Sequence, residues 1–226
     1  MPIVAIITAR GGSKRIPRKN IKEFMGKPML AYAVEAALDS GIFDEVMVST
    51  DDDEIADVAR NCGASVPFMR SAATANDFAT TADVLKEVIA SYRARGRNLD
   101  ELCCIYPCVP FLTASLLKDA HARYASQDCD ALTPVVRYSF PIQRAFRVDE
   151  NGFLQYREPQ YAATRSQDLE PTFHDVGMFY FKKTSTLDRP SSKTAYYEMD
   201  ERHIQDIDTP EDWKMAEMKY RMLHHV

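Results

Sequence analysis

The chain has 226 residues, 46% of them hydrophobic, with a formal net charge of −5 and a pI near 5.6. That length and apolar content suit one large α/β domain carrying an insertion and argue against two independent domains. The acidic balance speaks against non-specific nucleic-acid or membrane-surface partners. No apolar run approaches the ~20 residues that span a bilayer, and residues 3–7 are too short for a signal sequence, so a soluble cytoplasmic protein is expected.

Residues 2–7 form a continuous apolar, β-branched run, the pattern of a strand covered on both faces in a parallel sheet. A polar, Gly-containing loop follows Thr8. Pro28 then suits a first helical position, residues 29–38 carry helical apolar spacing, and Gly41 offers a stop. The alternation continues with a strand at 45–49, a short helix at 52–61 ended by Gly63, and a strand at 65–68. A helix at 81–95, a buried strand at 101–106 and a helix at 113–124 capped by Thr113 come next. Such an order predicts a mostly parallel sheet with right-handed crossovers. From 131 to about 180 the alternation stops, and strand-like pieces with an Asn151-Gly152 turn predict a hairpin-rich arm suited to contact a second subunit. A strand at 178–181 and a helix at about 210–223 close the chain.

The five cysteines, Cys62, Cys103, Cys104, Cys108 and Cys129, are odd in number and form no paired CxxC knuckle, so they read as buried free thiols rather than metal ligands.

Cations concentrate between residues 10 and 27 in a chain that is acidic overall. The segment 8–20 leaves the first strand and places Gly11 and Gly12 at its carboxyl end, where open α/β sheets bind ligands. Glycines let backbone N–H groups approach phosphate oxygens, Arg10, Lys14 and Lys19 can neutralise a triphosphate, and Ser13 supplies a hydroxyl. Neither the Walker GxxxxGK[ST] nor the Rossmann GxGxxG spacing is present. A solvated basic loop with a tight Gly-Gly turn is the plainer alternative. Near the C-terminus, Asp206 and Asp208 alternate in an extended stretch and could present two carboxylates to a hard cation, the plainer alternative being a segment that merely leads into a helix cap. Directly after them, Thr209 and Pro210 fit the cap and first residue of the last helix.

The stretch Ala9-Arg-Gly-Gly-Ser-Lys-Arg-Ile-Pro-Arg-Lys-Asn20 resembles the signature loop of the CMP-sialic acid synthetases (acylneuraminate cytidylyltransferases), and its Arg18-Lys19-Asn20-Ile21 ending is of the sialate rather than the 3-deoxy-manno-octulosonate type. Ser49-Thr50-Asp51, Arg70 with Asp77 and Thr80-Thr81, and Asp206-Ile-Asp208-Thr-Pro-Glu-Asp212 extend the likeness over nearly the whole chain. The resemblance implies a Rossmann-like nucleotidyltransferase fold of GT-A type, with a mostly parallel central sheet and a small dimerisation arm at about 136–176. It implies transfer of CMP from CTP to a nine-carbon keto acid sugar by a homodimer, and Mg2+ (or Mn2+) on Asp206 and Asp208. The nucleotide would lie against Ala9, Arg10, Gly11, Gly12, Ser13, Lys14, Lys19, Asn20, Arg70, Asp77, Ala79 and Thr81, with Arg10, Lys19 and Asp208 carrying the chemistry.

Sialate enzymes of this family show Gln-Pro-Thr-Ser-Pro after the third strand, with the glutamine on the sugar, whereas this chain has Tyr106-Pro-Cys-Val-Pro110. That departure resembles the pseudaminic acid cytidylyltransferases, as do Phe140-Pro-Ile-Gln-Arg-Ala145, Arg165-Ser-Gln-Asp-Leu169 and His174-Asp175. By the same resemblance Tyr106, Arg165, Gln167 and His174 are sugar-site candidates. Arg165 is suited to the sugar carboxylate because a guanidinium binds carboxylate bidentately. A CMP-N-acetylneuraminate or CMP-legionaminate synthetase, another sugar nucleotidyltransferase and a non-catalytic nucleotide sensor are the alternatives. The last is disfavoured by the joint presence of Arg10, Ser13, Lys19, Asp206 and Asp208.

Overall fold

The first strand, β1 (Ile3–Thr8), is buried along its length because each face meets a different core. Ile3, Ala5 and Ile7 join one cluster and Val4 and Ile6 another, so the period of two that normally separates inside from outside here separates two insides. The computed structural model describes residues 3–188 and 193–225, so the Pro2 end of the expected strand lies outside the described residues.

A two-residue hairpin, β2 (Glu23–Phe24) and β3 (Lys27–Pro28), leads into helix α1 (Met29–Ser40). Pro28 takes the extended cap position rather than the first helical one, and Gly41 ends the helix at φ 62°, a left-handed conformation that glycine adopts without strain. Strand β4 (Glu45–Ser49) and helix α2 (Asp53–Asn61) follow, with the Asp52 carboxylate accepting the Ile55 N–H as N-cap. Helix α3 (Thr81–Ala94) opens with a reciprocal capping box between Thr80 and Asp83. Strand β5 (Glu101–Ile105) and helix α4 (Ala114–Ser126), capped by Thr113, complete the alternating half.

Residues 65–68, expected as a strand, form only a single bridge from Ser65 to Met47. Pro67 has no N–H to extend a ladder.

The second half comprises β6 (Ala131–Arg137), a hairpin of β7 (Phe146–Val148) and β8 (Leu154–Tyr156), then β9 (Phe173–Asp175), β10 (Phe179–Lys183), β11 (Thr194–Glu198) and helix α5 (Pro210–His224). The hairpin turns at Asn151-Gly152, where Gly152 has φ 84° and the Asp149 carboxylate accepts the Asn151 and Phe153 N–H groups. The main sheet runs β11-β6-β10-β5-β1-β4, with β9 paired to β6. Pairings of β1 with β4 and β5, and of β6 with β11, are parallel; β10 runs antiparallel between β5 and β6. β11 was not expected, because only Ala195 in its Thr-Ala-Tyr-Tyr-Glu sequence is buried and edge strands carry weak apolar patterning. Among the described residues, no helix is long and apolar enough to cross a membrane.

A third, smaller core gathers Ile16, Phe24, Tyr32, Phe111, Ile207 and Trp213. Phe24 sits at its centre, edge-on to Tyr32, Trp213 and Tyr220. Ile16 belongs to the loop after β1 and Ile207 to the stretch before α5, so this core holds those two distant segments side by side.

Candidate active site

The loop after β1 leaves the sheet at Ala9, whose N–H still donates to the Ser49 carbonyl of β4 at 3.0 Å. Asn20 closes the loop from within. It is buried, its amide donates to the Arg10 carbonyl at 2.8 Å, its side-chain oxygen accepts the Cys108 thiol at 3.2 Å, and its carbonyl accepts the Leu30 N–H. Gly11 donates its N–H to the Asp51 carboxylate at 3.0 Å, and a Cβ placed there would meet the Asp52 Oδ2 at 2.8 Å, so glycine is dictated by a close approach to α2. At Gly12 the same test finds open space.

That space is a cavity of about 400 Å³ walled by Arg10, Gly12, Ser13, Lys14, Lys19 and Asp208, with Thr8, Arg15, Asn20 and Pro107 at its margins. A second cavity of about 230 Å³ is lined by Arg70, Thr74, Asn76, Asp77, Ala79 and Thr81. The two share Thr8 and Arg10 and therefore adjoin at the end of β1. One is basic and the other mainly polar.

Arg70 is buried beneath the second cavity and donates to the Ser49 hydroxyl at 3.1 Å and the Ser49 carbonyl at 2.6 Å. Burial pulls its guanidinium below the ordinary value, partly offset by Asp51 and Glu87. Asp77 reaches across the junction to both loop cations, Arg10 at 2.7 Å and Lys14 at 2.5 Å, and these bonds hold its carboxyl below the usual range. Thr81 meets the Tyr106 hydroxyl at 3.3 Å. The Tyr106 ring packs on Tyr180, whose hydroxyl donates to Asp175 at 2.9 Å, and burial beside that carboxylate pushes the Tyr180 phenol up.

On the opposite wall, Asp208 pairs with Arg15 at 2.9 Å and Lys19 at 3.4 Å, and Lys19 also donates to the Ile207 carbonyl at 2.6 Å. Ile207 is buried between an exposed Asp206 and a half-buried Asp208, so the alternation expected of an extended chain is present. The neighbouring segment is also the cap of α5, with Thr209 and Asp212 in a reciprocal box. No cluster of three or more His, Cys, Asp or Glu side chains suited to a metal occurs among the described residues. Asp208 lines the basic cavity and Asp206 does not; one carboxylate at such a wall fits Mg2+, which takes one or two carboxylates and completes its shell with phosphate oxygens and water.

The remaining candidates lie apart. Arg165 is exposed and paired with Asp168 at 2.7 Å. Gln167 lines a separate cavity of about 410 Å³ with Arg137, Tyr138 and Glu198. His174 bonds the Asp175 carbonyl through Nδ1 at 3.0 Å and packs against Tyr138 at 4.9 Å. None of the three lines the two adjoining cavities. All five cysteines are free thiols. Burial raises Cys103 well above its ordinary value and Cys108 to about 12, so both stay protonated.

The family model for cytidylyltransferases matches residues 4–222. The chain belongs to the cytidylyltransferase family. It is 37% identical to a pseudaminic acid cytidylyltransferase of Campylobacter jejuni over 99% of this chain and 98% of that protein. It is 35% identical to N-acylneuraminate cytidylyltransferase A of Danio rerio over 96% of this chain and 50% of that one. Among solved structures, a CMP:2-keto-3-deoxy-manno-octonic acid synthetase complexed with CTP superposes with a TM-score of 0.69 at 19% identity, each chain covered completely, which establishes the nucleotidyltransferase fold. The protein is accordingly a CTP-dependent nucleotidyltransferase.

In this cytidylyltransferase two further cations of the loop make contacts that the sequence does not mark. Arg15 reaches Asp208. Arg18 lines neither cavity and turns instead to Asp52 and Glu54. Both sit in the same basic stretch as Lys14 and Lys19, and nothing in their spacing tells which side chains face a ligand and which face the protein.

Proposed function

We propose that the protein transfers CMP from CTP to the anomeric 2-hydroxyl of a nonulosonic acid, with pseudaminic acid as the sugar, and releases pyrophosphate. The observation that carries the nucleotide half is the pair of cavities meeting at Thr8 and Arg10, one basic and one containing buried Arg70. Arg10, Ser13, Lys14 and Lys19 hold the leaving β- and γ-phosphates; Arg70, Ala79 and Thr81 hold the cytosine end. Asp77, which bridges Arg10 and Lys14 in the chain alone, gives those cations up to the triphosphate. The sugar half is supported by the full-length likeness to the Campylobacter jejuni pseudaminic acid cytidylyltransferase and by Tyr106, whose hydroxyl meets Thr81 of the second cavity although its ring lines neither cavity.

Asp208 and Asp206 hold Mg2+ or Mn2+, which when bound neutralises phosphate charge and polarises coordinated oxygens. Lys19 orients Asp208 by gripping the carbonyl of Ile207 and the carboxylate together. Neither cavity is lined by a histidine among the described residues, so the chain's contribution is positioning and charge neutralisation.

The arm at about 136–176 leaves Phe140 at 87%, Phe153 at 68% and Leu154 at 65% exposure, apolar area that a second copy would cover. In the resulting homodimer the arm carries Arg165, Gln167 and His174 toward the partner's sugar site, which accounts for their distance from the cavities of their own chain. The setting is the cytoplasm, where CTP is at hand.

The test is mass spectrometry of products from CTP and Mg2+ with pseudaminate, N-acetylneuraminate and legionaminate offered separately. CMP-pseudaminate as the fastest-formed product is expected. Preference for another nonulosonic acid would overturn the sugar assignment, and no product from any of them would overturn the reading itself.

A further inference from the structure

Arg18 is built at a cost that its fold alone does not require. Its backbone is left-handed at φ 55°, where glycine or asparagine is more at ease. Its Nε is shielded from solvent without an acceptor among the described residues, a second expense. In return its two terminal nitrogens grip Asp52, Nη1 to Oδ2 at 2.5 Å and Nη2 to Oδ1 at 2.9 Å, and Nη2 also reaches Glu54.

Asp52 is itself fixed. Its Oδ1 caps α2 through the Ile55 N–H at 3.0 Å, and its side chain lies where a Gly11 Cβ would fall. Gly11 is tied to the adjacent Asp51. Both ends of the phosphate loop, Gly11 and Arg18, are therefore bound to one turn after β4. Between them lie Gly12, Ser13, Lys14 and Arg15 of the cavity wall, and Lys19 follows Arg18 directly. The bidentate geometry is one that lysine cannot reproduce.

We propose that Arg18 is a positioning residue for the leaving phosphates, setting the span of the loop and the aim of Lys19 through its clasp on Asp52. The inference rests on the reading that this loop holds the β- and γ-phosphates. A bidentate pair that served only the fold would act on stability alone, whereas one that preorganises a polyphosphate cradle acts on binding as well.

The experiment uses Arg18→Asn, Arg18→Lys and Asp52→Asn in the full chain. Asparagine suits the left-handed backbone at position 18, and at position 52 it retains the cap of α2. Readouts are KM for CTP, inhibition constants for inorganic pyrophosphate and for CMP, and Tm. In Arg18→Asn and Asp52→Asn, KM for CTP and the pyrophosphate constant should each rise about tenfold, with the CMP constant unchanged even where Tm falls; Arg18→Lys should be intermediate. An unchanged pyrophosphate constant, or a fall in Tm that moves all the constants together, overturns the inference. Lys19→Ala separates the two readings. If it weakens pyrophosphate while Arg18→Asn does not, only the positioning role falls; if neither does, the assignment of the loop to these phosphates falls as well.

Discussion

Gly11 and Gly12 are adjacent and look equivalent, yet the space around them differs, and a methyl group at each should separate stability from binding. At Gly11 the added Cβ would lie 2.8 Å from Asp52 Oδ2, 3.1 Å from its Cβ and 3.3 Å from its Cγ. A free carboxylate would swing away, but this one is held by Arg18 and by the Ile55 N–H. Loss of the α2 cap costs about 1 kcal/mol, and forcing a methyl into a filled site costs about 1–3 kcal/mol. The two overlap, because moving Asp52 relieves the clash at the expense of the cap, so about 2 kcal/mol is expected for Gly11→Ala. In a chain of this length that lowers Tm by about 4–8 °C. At Gly12 the Cβ meets nothing within 4 Å and projects where the basic cavity lies. Gly12→Ala should leave Tm unchanged or slightly raised, because alanine restricts the unfolded chain by about 0.4–1 kcal/mol. The same methyl should raise KM for CTP about tenfold by keeping phosphate off the backbone. Thermal melts followed by Trp213 fluorescence, with pyrophosphate release as the activity assay, measure both. Gly12→Ala with an unaltered KM, or Gly11→Ala with an unaltered Tm, would refute the assignment of these two positions.

Other outcomes follow from the opposite wall and the clasp. Asp208→Ala removes an exposed pair with Arg15 and a long, part-buried one with Lys19, both of which contribute little to stability, so the variant should melt like the parent yet form no CMP-sugar at any Mg2+ concentration; turnover near the parental level would exclude the metal role. Chelation should abolish turnover in the parent, and Mg2+ or Mn2+ should restore it; activity that survives exhaustive chelation counts against the carboxylate pair as a cation site. The Arg18 hydrogen bond holds the Asp52 carboxyl at about 2, below its ordinary 3.8. A depressed carboxylate contributes stability that is present above the ordinary value and is lost as pH falls through the folded one. The Tm difference between the parent and Asp52→Asn should therefore be constant above pH ~5 and shrink between pH ~4 and ~2; a difference that titrates near neutrality would point to another group.

The alternating half of the chain was legible because its signals are local and agree with one another. An apolar β-branched run, a cap residue and a glycine stop each mark an element whose partners are close in sequence. Thr113 and Gly41 cap or end their helices where the residue types suggest, and Asp52, read as the first residue of its helix, is its cap. The segment at 65–68 misled because apolar residues there pack beside β4 while Pro67 forbids a ladder. β11 was illegible for the opposite reason, since an edge strand with one buried residue lacks the alternation that reveals strands.

Within the site, the residues that could be anticipated are those fixed by their own short segment, and the unanticipated ones are fixed by contact across long separations. Gly12 is placed by the loop and Asp208 by its step past buried Ile207, whereas Gly11 is dictated by Asp51 and Asp52 and Lys19 is held by the Ile207 carbonyl. What brings those two segments together is the third core, in which Ile16 beneath the loop and Ile207 beneath the carboxylates pack around Phe24 and Trp213. No motif records that adjacency, because aromatic residues scattered over the chain carry no period. Lys19 spans the same gap above the core, so the reach of one side chain to the Ile207 carbonyl depends on packing underneath it. A cavity made in that core, as by Phe24→Ala, should thus cost about 3–5 kcal/mol of stability and also loosen the register between phosphate loop and acidic segment. If such a variant, studied well below its Tm, kept the parental KM for CTP and the parental Mg2+ requirement, the two walls would have to be aligned by something other than the aromatic core.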